Sequence, residues 1–446
     1  MSKLSLKNKL GRAALTAALV GSAATALVVS STGAGADPGA LDAGVLKGVG
    51  SDTLQDVTNA YSGATNNNGY APLIAASNPA GTLSQQMTSF DAVNPTSASN
   101  LCVTTKAGAG AILRPNGSGD GIAALSRTVT VGSPDTNSHS WGKGSAPAGT
   151  ACNNKDPRGL VDFARSSSGP GNTGTDLDFV PFARDAVSFA YATNAPTAVT
   201  SLTSTQLQEI YALTGTGAHK TVNAAAGQDV DIYPCGIQTS SGTFKFWNTA
   251  LGATSTEANA TATCNTVGGN VVRLEENNMT SLINKLTSGA AFDTTTGNPV
   301  QVIVGFSGGS FIAQSNGVAK STLPTSGTTK FGVGSIDGNA PQNGAPGSMT
   351  PDSVFYASTT YGRNLYYVVD HAKITSAGNT NLALKNMFAS NTAGTSTVTI
   401  PGLAANHTAS ICTTDAQDTA HAFGFLSLAN CGAVGPFHSS VTNNPS

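Results

Sequence analysis

This sequence is short of charge, of clustered metal ligands and of long apolar runs, and each shortage removes a class of function. Lysine, arginine, aspartate and glutamate make up 10% of 446 residues, and the formal charge is −2. No basic stripe rises above that background, so nucleic acid and anionic membrane surfaces are not indicated as partners. After residue 30 no stretch is long and apolar enough to span a bilayer as a helix. The six histidines are scattered, none of the six cysteines stands in a CxxC, and no metal or cofactor is expected. Glycine is plentiful, at 51 residues. Even so, no GK[ST] completes a Walker loop and no GxGxxG completes a dinucleotide fingerprint.

What is present begins with an address. Lys3, Lys7, Lys9 and Arg12 precede an alanine-rich apolar run over Ala13–Ser30, and Ala34, Gly35 and Ala36 have the small-x-small form of a cleavage site. Residues 1–36 read as a secretory signal, and its loss takes four positive charges and leaves about −6. No basic stop-transfer flank follows the run, which disfavours a retained membrane helix. No cysteine stands at the cleavage point, so no lipid anchor is indicated, and the mature chain is expected outside the cell or held at its surface. Export makes disulfides the expected state of the cysteines. Neighbouring spacing favours Cys102–Cys152, Cys235–Cys264 and Cys412–Cys431 among the possible connectivities. About 410 residues remain, enough for two or three domains or one large bilobal one.

Three turns share a chemistry. Ile232, Tyr233 and Pro234 end an extended run, Ser240, Ser241, Gly242 and Thr243 follow, and Phe244, Trp247 and Leu251 then repeat at helical spacing until Gly252. Hydroxyls and free N–H groups at a helix start suit an oxyanion, and they equally suit an ordinary Ser/Thr cap. The second turn, Ser51, Asp52 and Thr53, leads into a helix lined by Leu54, Val57 and Tyr61. The third, Gly117, Ser118 and Gly119, lies in a glycine-dense loop whose backbone a ligand could approach closely. After a polar loop over Thr128–Asp156, residues Leu160–Ala164 read as a short buried strand tipped by Arg165, Ser166 and Ser167.

From Gly117 to Thr243 these segments stand in a recognisable order. The loop GSG, the strand VDFARSS, the crossing FVPFARDAVSFAY (Phe179–Tyr191), the segment LTSTQLQEIY (Leu202–Tyr211) and the turn SGT together resemble the phosphate-binding protein of bacterial ABC-type phosphate uptake, a type 2 periplasmic-binding-protein family. The resemblance covers about the middle third of the chain. It implies an α/β fold of two lobes with a ligand cleft between them. Lobe 1 would comprise 37–189 and 299–446, and lobe 2 would comprise 190–298. It also implies a bacterial, non-enzymatic, monomeric protein that closes on phosphate or a related oxyanion and delivers it to a membrane permease. The expected ligand set is Ser51, Asp52, Thr53, Gly117, Ser118, Gly119, Arg165, Ser166, Ser167, Ser241, Gly242 and Thr243. Two family features are missing. Ile237, with Gly236 and Gln238, stands where the family has an arginine, and Ser167 stands where it has an aspartate that accepts the proton of hydrogen phosphate. Arg165, Asp120 or Asp52 are the candidates to replace them.

Other classes keep a foothold. Gly305-Phe306-Ser307-Gly308-Gly309 satisfies GxSxG after an apolar strand, with Asp370 or Asp337 and one of His371, His407, His421 or His438 to complete a secreted serine hydrolase's triad. A noncatalytic surface or adhesion protein is the third reading. Further along, the Asn278–Thr287 pattern predicts a helix, Pro299–Phe306 and Asn364–Asp370 predict strands, and Leu382, Leu384, Met387 and Phe388 a helix. Gly308–Pro351 reads as loop, and Ser89–Val93 and Ser396–Ile400 as short strands.

Overall fold

The computed structural model describes residue 37 and residues 46–62, 87–95, 97–142, 150–170, 176–215, 217–252, 264, 266–267, 270–271, 273–287, 292–293, 295–392, 396–436 and 438–439. All belong to the compact unit Ala34–Ser446. The signal expected over residues 1–36 lies outside them.

The chain is a mixed α/β fold built on one eleven-stranded sheet. Its strands are β1 (Leu46–Gly50), β2 (Met87–Ser89), β3 (Phe163–Ser166), β4 (Leu177–Thr193), β5 (Lys220–Ala225), β6 (Gln228–Pro234), β7 (Val300–Ser307), β8 (Lys330–Val333), β9 (Gly362–Asp370), β10 (Leu426–Ser427) and β11 (His438–Ser439). The main order is β2-β1-β3-β9-β4-β7-β6-β5, with β8, β10 and β11 also pairing with β4. Strand β4 carries the architecture. It is buried along almost its whole length, as a strand covered on both faces must be. Its first part, Leu177–Ala186, runs antiparallel to β9, and its second, Val187–Thr193, runs antiparallel to β7. One strand thus serves two lobes, and the handover falls at Ala186 and Val187. Against β9 the register shifts between Leu365 and Tyr366, opposite Pro181; a proline has no N–H for the ladder, and a bulge absorbs it.

Each lobe has its own core. On the β9 side, alternate strand residues face two ways: Phe182, Tyr367 and Phe163 pack with Phe388 and Tyr61, while Phe179 and Val368 pack with Leu125 and Trp141. On the β7 side Phe189, Val302, Ile232, Tyr211, Trp247, Met279 and Leu282 form a third cluster. The helices that matter to the site are α1 (Gln55–Tyr61), α2 (Gly117–Ser126), α3 (Ser204–Tyr211), α4 (Gly242–Ala250), α5 (Met279–Thr287) and α6 (Gly308–Ser315). Local signals start α3, where Thr203 and Gln206 close a capping box. Disulfides join Cys102 to Cys152, Cys235 to Cys264 and Cys412 to Cys431. No helix among the described residues is long and apolar enough to cross a membrane.

Four local expectations change. Gly308–Pro351 is not all loop: it opens with α6, whose Phe311, Ile312 and Ala313 are buried, and it contains β8. Tertiary burial overrides the weak helix propensity of Gly308 and Gly309. Residues 396–400 form no strand; Thr397 N–H reaches Val434 C=O at 3.0 Å, but Val434 N–H returns to the Ser396 hydroxyl rather than to backbone. The strand expected at Ser89–Val93 lies earlier, at Met87–Ser89, in register with β1. The one expected at Leu160–Ala164 lies later, at Phe163–Ser166, for the same reason.

Candidate functional site

The handover in β4 is also where the turns of both lobes meet. Asp185 stands just before it, fully buried. Its carboxylate accepts from Arg363 Nε and Nη2 at 3.1 and 2.8 Å, from Ser307 Oγ at 3.0 Å and from Gly309 N–H at 3.0 Å. Arg363, at the start of β9, spends its other donors on hydroxyls: Nη1 reaches Thr243 Oγ1 at 2.6 Å and Nη2 reaches Thr53 Oγ1 at 3.3 Å. Those hydroxyls point onward to a single atom. Glu276 Oε1 accepts from Ser241 Oγ at 2.6 Å, Thr243 Oγ1 at 2.8 Å and Thr53 Oγ1 at 3.3 Å. Donors from both lobes therefore converge on one carboxylate oxygen, with a guanidinium behind two of them. The arrangement is a seat for an anionic oxygen.

Backbone pairing delivers Glu276 there. Leu274 bridges Ile237 in parallel, with Leu274 N–H to Gly236 C=O and Gln238 N–H to Leu274 C=O, both at 2.9 Å. Glu276 C=O then accepts from Ser307 N–H at 3.2 Å. The segment paired beside Ile237 thus brings in acid. Glu275 Oε1 accepts from Asn116 Nδ2 at 2.9 Å, and one oxygen each from Asp52, Glu275 and Glu276 lie within 4.8 Å of one another. Burial, then the charges of Glu276 and Glu275, push the Asp52 carboxyl well above the usual range. Glu275 is pushed up to about 7 by burial and then by the Glu276 charge.

The predicted residues divide by what they touch. Ser241 both caps α4, accepting from Thr243 N–H at 2.9 Å and Phe244 N–H at 3.4 Å, and donates to Glu276. A cap and an oxyanion donor are thus compatible roles for one hydroxyl. Thr53 is free of capping work, because the N-cap of α1 is Leu54 and makes no side-chain bond. Ser118 and Ser167 face each other, Oγ to Oγ at 3.2 Å. A Cβ on Gly242 would come within 2.6 Å of both hydroxyl oxygens, and one on Gly117, where φ is +88°, within 2.9 Å of the Ser240 backbone. Gly119 N–H donates to Ser240 C=O at 2.7 Å. The glycines of the GSG loop therefore let one lobe's backbone approach the other's turn. Arg165 is fully buried, but its donors go to Ser51, Gly50 and Phe90 carbonyls and to Ser89 Oγ. Ser166 Oγ donates to Ser168 C=O. Ser51 Oγ has no partner among the described residues. Asp120 accepts from Asn116 N–H at 3.2 Å and from the Ser240 side chain.

Sequence reasoning missed Asp185, Glu275, Glu276 and Arg363. One signal was available: the chain has four glutamates, and two of them are adjacent. For Arg363 no local pattern marks the role. As for Ser307, its hydroxyl donates to Asp185 and accepts from Ser310 N–H at 3.1 Å as the cap of α6. His371 pairs instead with Asp178 at 2.6 Å, and His421 with Ser427.

Neither a family model nor a curated protein matches the chain. Among solved structures it is similar to an ABC-type phosphate transport receptor from Vibrio cholerae, at 14% identity over 86% of this chain and 100% of that one, with a TM-score of 0.41. A phosphate-binding protein from Stenotrophomonas maltophilia shares 13% identity over 88% and 96%, with a TM-score of 0.38. A human phosphate-binding apolipoprotein shares 14% identity over 86% and 91%, with a TM-score of 0.39.

Proposed function

We propose that this chain is an exported bacterial solute-binding protein whose two lobes close on phosphate or a related oxyanion for delivery to an ABC-type permease. The observation that carries the reading is the convergence of Thr53, Ser241 and Thr243 on Glu276 Oε1, with Arg363 behind Thr53 and Thr243. Three hydroxyl donors around one anionic oxygen are the contacts a phosphate oxygen would need. The five co-linear segments from Gly117 to Thr243 support the same class. Arg363, itself paired with Asp185, stands behind the Thr53 and Thr243 hydroxyls and orients them toward the ligand. The ligand oxygen takes the position Glu276 Oε1 holds, so Glu276 acts as a tethered competitor that the ligand displaces.

Calorimetry against phosphate, sulfate, a phosphonate and a phosphorylated sugar tests this. One of them is expected to bind at one equivalent, and Glu276→Ala is expected to bind it about tenfold more tightly, because a competing charged acceptor is gone. If neither parent nor Glu276→Ala binds any of the four, the oxyanion reading falls.

A further inference from the structure

We propose that Asp52, Glu275 and Glu276 form a binding site for one hard divalent cation of the calcium or magnesium kind. The residues come from two distant stretches of chain, 52 and 275–276, and an oxygen of each lies within 4.8 Å of the others, which is the spacing of a shared ligand shell. A second observation shows that the cluster lacks what a buried carboxylate requires. Asp52 is 3% exposed, and no N–H or hydroxyl among the described residues donates to Oδ1 or Oδ2; its hydrogen bonds run to the Glu276 and Glu275 carboxylates of the same cluster. Glu276 is fully buried and Glu275 partly accessible, and the Oε2 atoms of both are in the same position as the Asp52 oxygens. Arg363 does not answer this demand, since its bonds go to Asp185, Thr53 and Thr243. A buried carboxylate is tolerated when it keeps its proton, is paired, or coordinates a metal, and a cation seated among these three would take the place of the shared protons.

The surroundings favour coordination. Each glutamate has its Oε1 tied, Glu275 by Asn116 and Glu276 by the three hydroxyls, and such outer contacts fix the orientation of metal ligands. The donor set is all oxygen, without imidazole or thiolate, and selects a hard cation over zinc. A calcium-sized ion takes more ligands than three side chains supply, and water fills the rest. The expectation of no metal, drawn from histidine and cysteine spacing, does not reach a carboxylate site assembled from residues 52 and 275–276.

The experiment titrates CaCl2 and MgCl2 into the chelator-stripped mature protein, in chloride buffer at pH 8 without phosphate or sulfate. It is therefore independent of whether an oxyanion binds. One equivalent of saturable heat is expected, with a melting temperature that climbs with cation concentration. Asp52→Asn and Glu275→Gln are each expected to weaken binding at least about tenfold. The metal-free melting temperature of Asp52→Asn should be no lower than the parent's, which shows that the variant folds. Asp415→Asn, at an exposed position in the 414–422 helix, should bind as the parent does. Absence of heat and of any melting shift at about millimolar cation overturns the proposal, and so does undiminished binding by a folded Asp52→Asn.

Discussion

Asp185 and Asp52 are both withdrawn from solvent, and their surroundings differ completely. Asp185 accepts four hydrogen bonds, two of them from a guanidinium. Asp52 accepts from no N–H or hydroxyl among the described residues, and its hydrogen bonds run to two more carboxylates, Glu275 and Glu276. The first is a structural joint, fastening β4, β9 and the start of α6 where the lobes exchange strands. The second is a site held ready for something else. Burial alone does not separate these roles; the donor inventory does.

The sharpest way to break the comparison is at the joint. Asp185→Asn leaves the Arg363 guanidinium buried without its counter-charge and is expected to cost about 3–5 kcal/mol, read as a lowered denaturation midpoint. Asp52→Asn in metal-free buffer should cost nothing or stabilise. If both variants lose stability equally, the distinction between joint and site is wrong.

A smaller effect comes from the seat. In the parent, Ser241 donates to Glu276 before ligand arrives and to the ligand afterwards, so Ser241→Ala should change oxyanion affinity little and lower stability by about 1 kcal/mol through the lost cap. In a Glu276→Ala background no competitor uses the hydroxyl. The same substitution should then cost about 1.5–3 kcal/mol of binding, roughly ten- to hundredfold. A double-mutant cycle by calorimetry measures the difference. Equal losses in both backgrounds would show that ligand and Glu276 do not share Ser241.

The effect that is smallest per step is a slope, spread over several pH units. Glu275 and Asp56 are raised to about 7 and Asp91 to about 6, in each case chiefly by burial. The native state therefore keeps protons that the unfolded chain has released. These groups contribute stability that is present below their ordinary carboxylate values and lost as pH rises toward 7. In chelator the unfolding free energy should fall across that window, by at most about 1.4 kcal/mol per pH unit for each group, read as a falling denaturation midpoint. Glu275→Gln should flatten its share, and an unchanged slope would place Glu275 outside the desolvated cluster.

The sequence is most legible where bonds are local. Thr203 with Gln206, and Ser241 with Thr243 and Phe244, bond across two or three residues, so their pattern shows in the residues themselves. The long crossing Phe179–Tyr191 shows as well, because large apolar residues fill it on either side of Arg184 and Asp185. The Ser241 turn suggests either a cap or an anion seat, and local chemistry supplies no means of choosing.

Tertiary structure alone decides what fills that seat. Glu276 reaches it because residue 274 pairs beside residue 237, and Arg363 arrives from more than a hundred residues away in sequence. The helix after Ser307 likewise depends on burial of Phe311 and Ile312. Sequence by itself determined the caps, the buried crossing and the turns that supply hydroxyls, because those follow from spacing and from each residue's own donors. The partner of each buried charge depends on which distant segments exclude water together, and only the folded chain settles that.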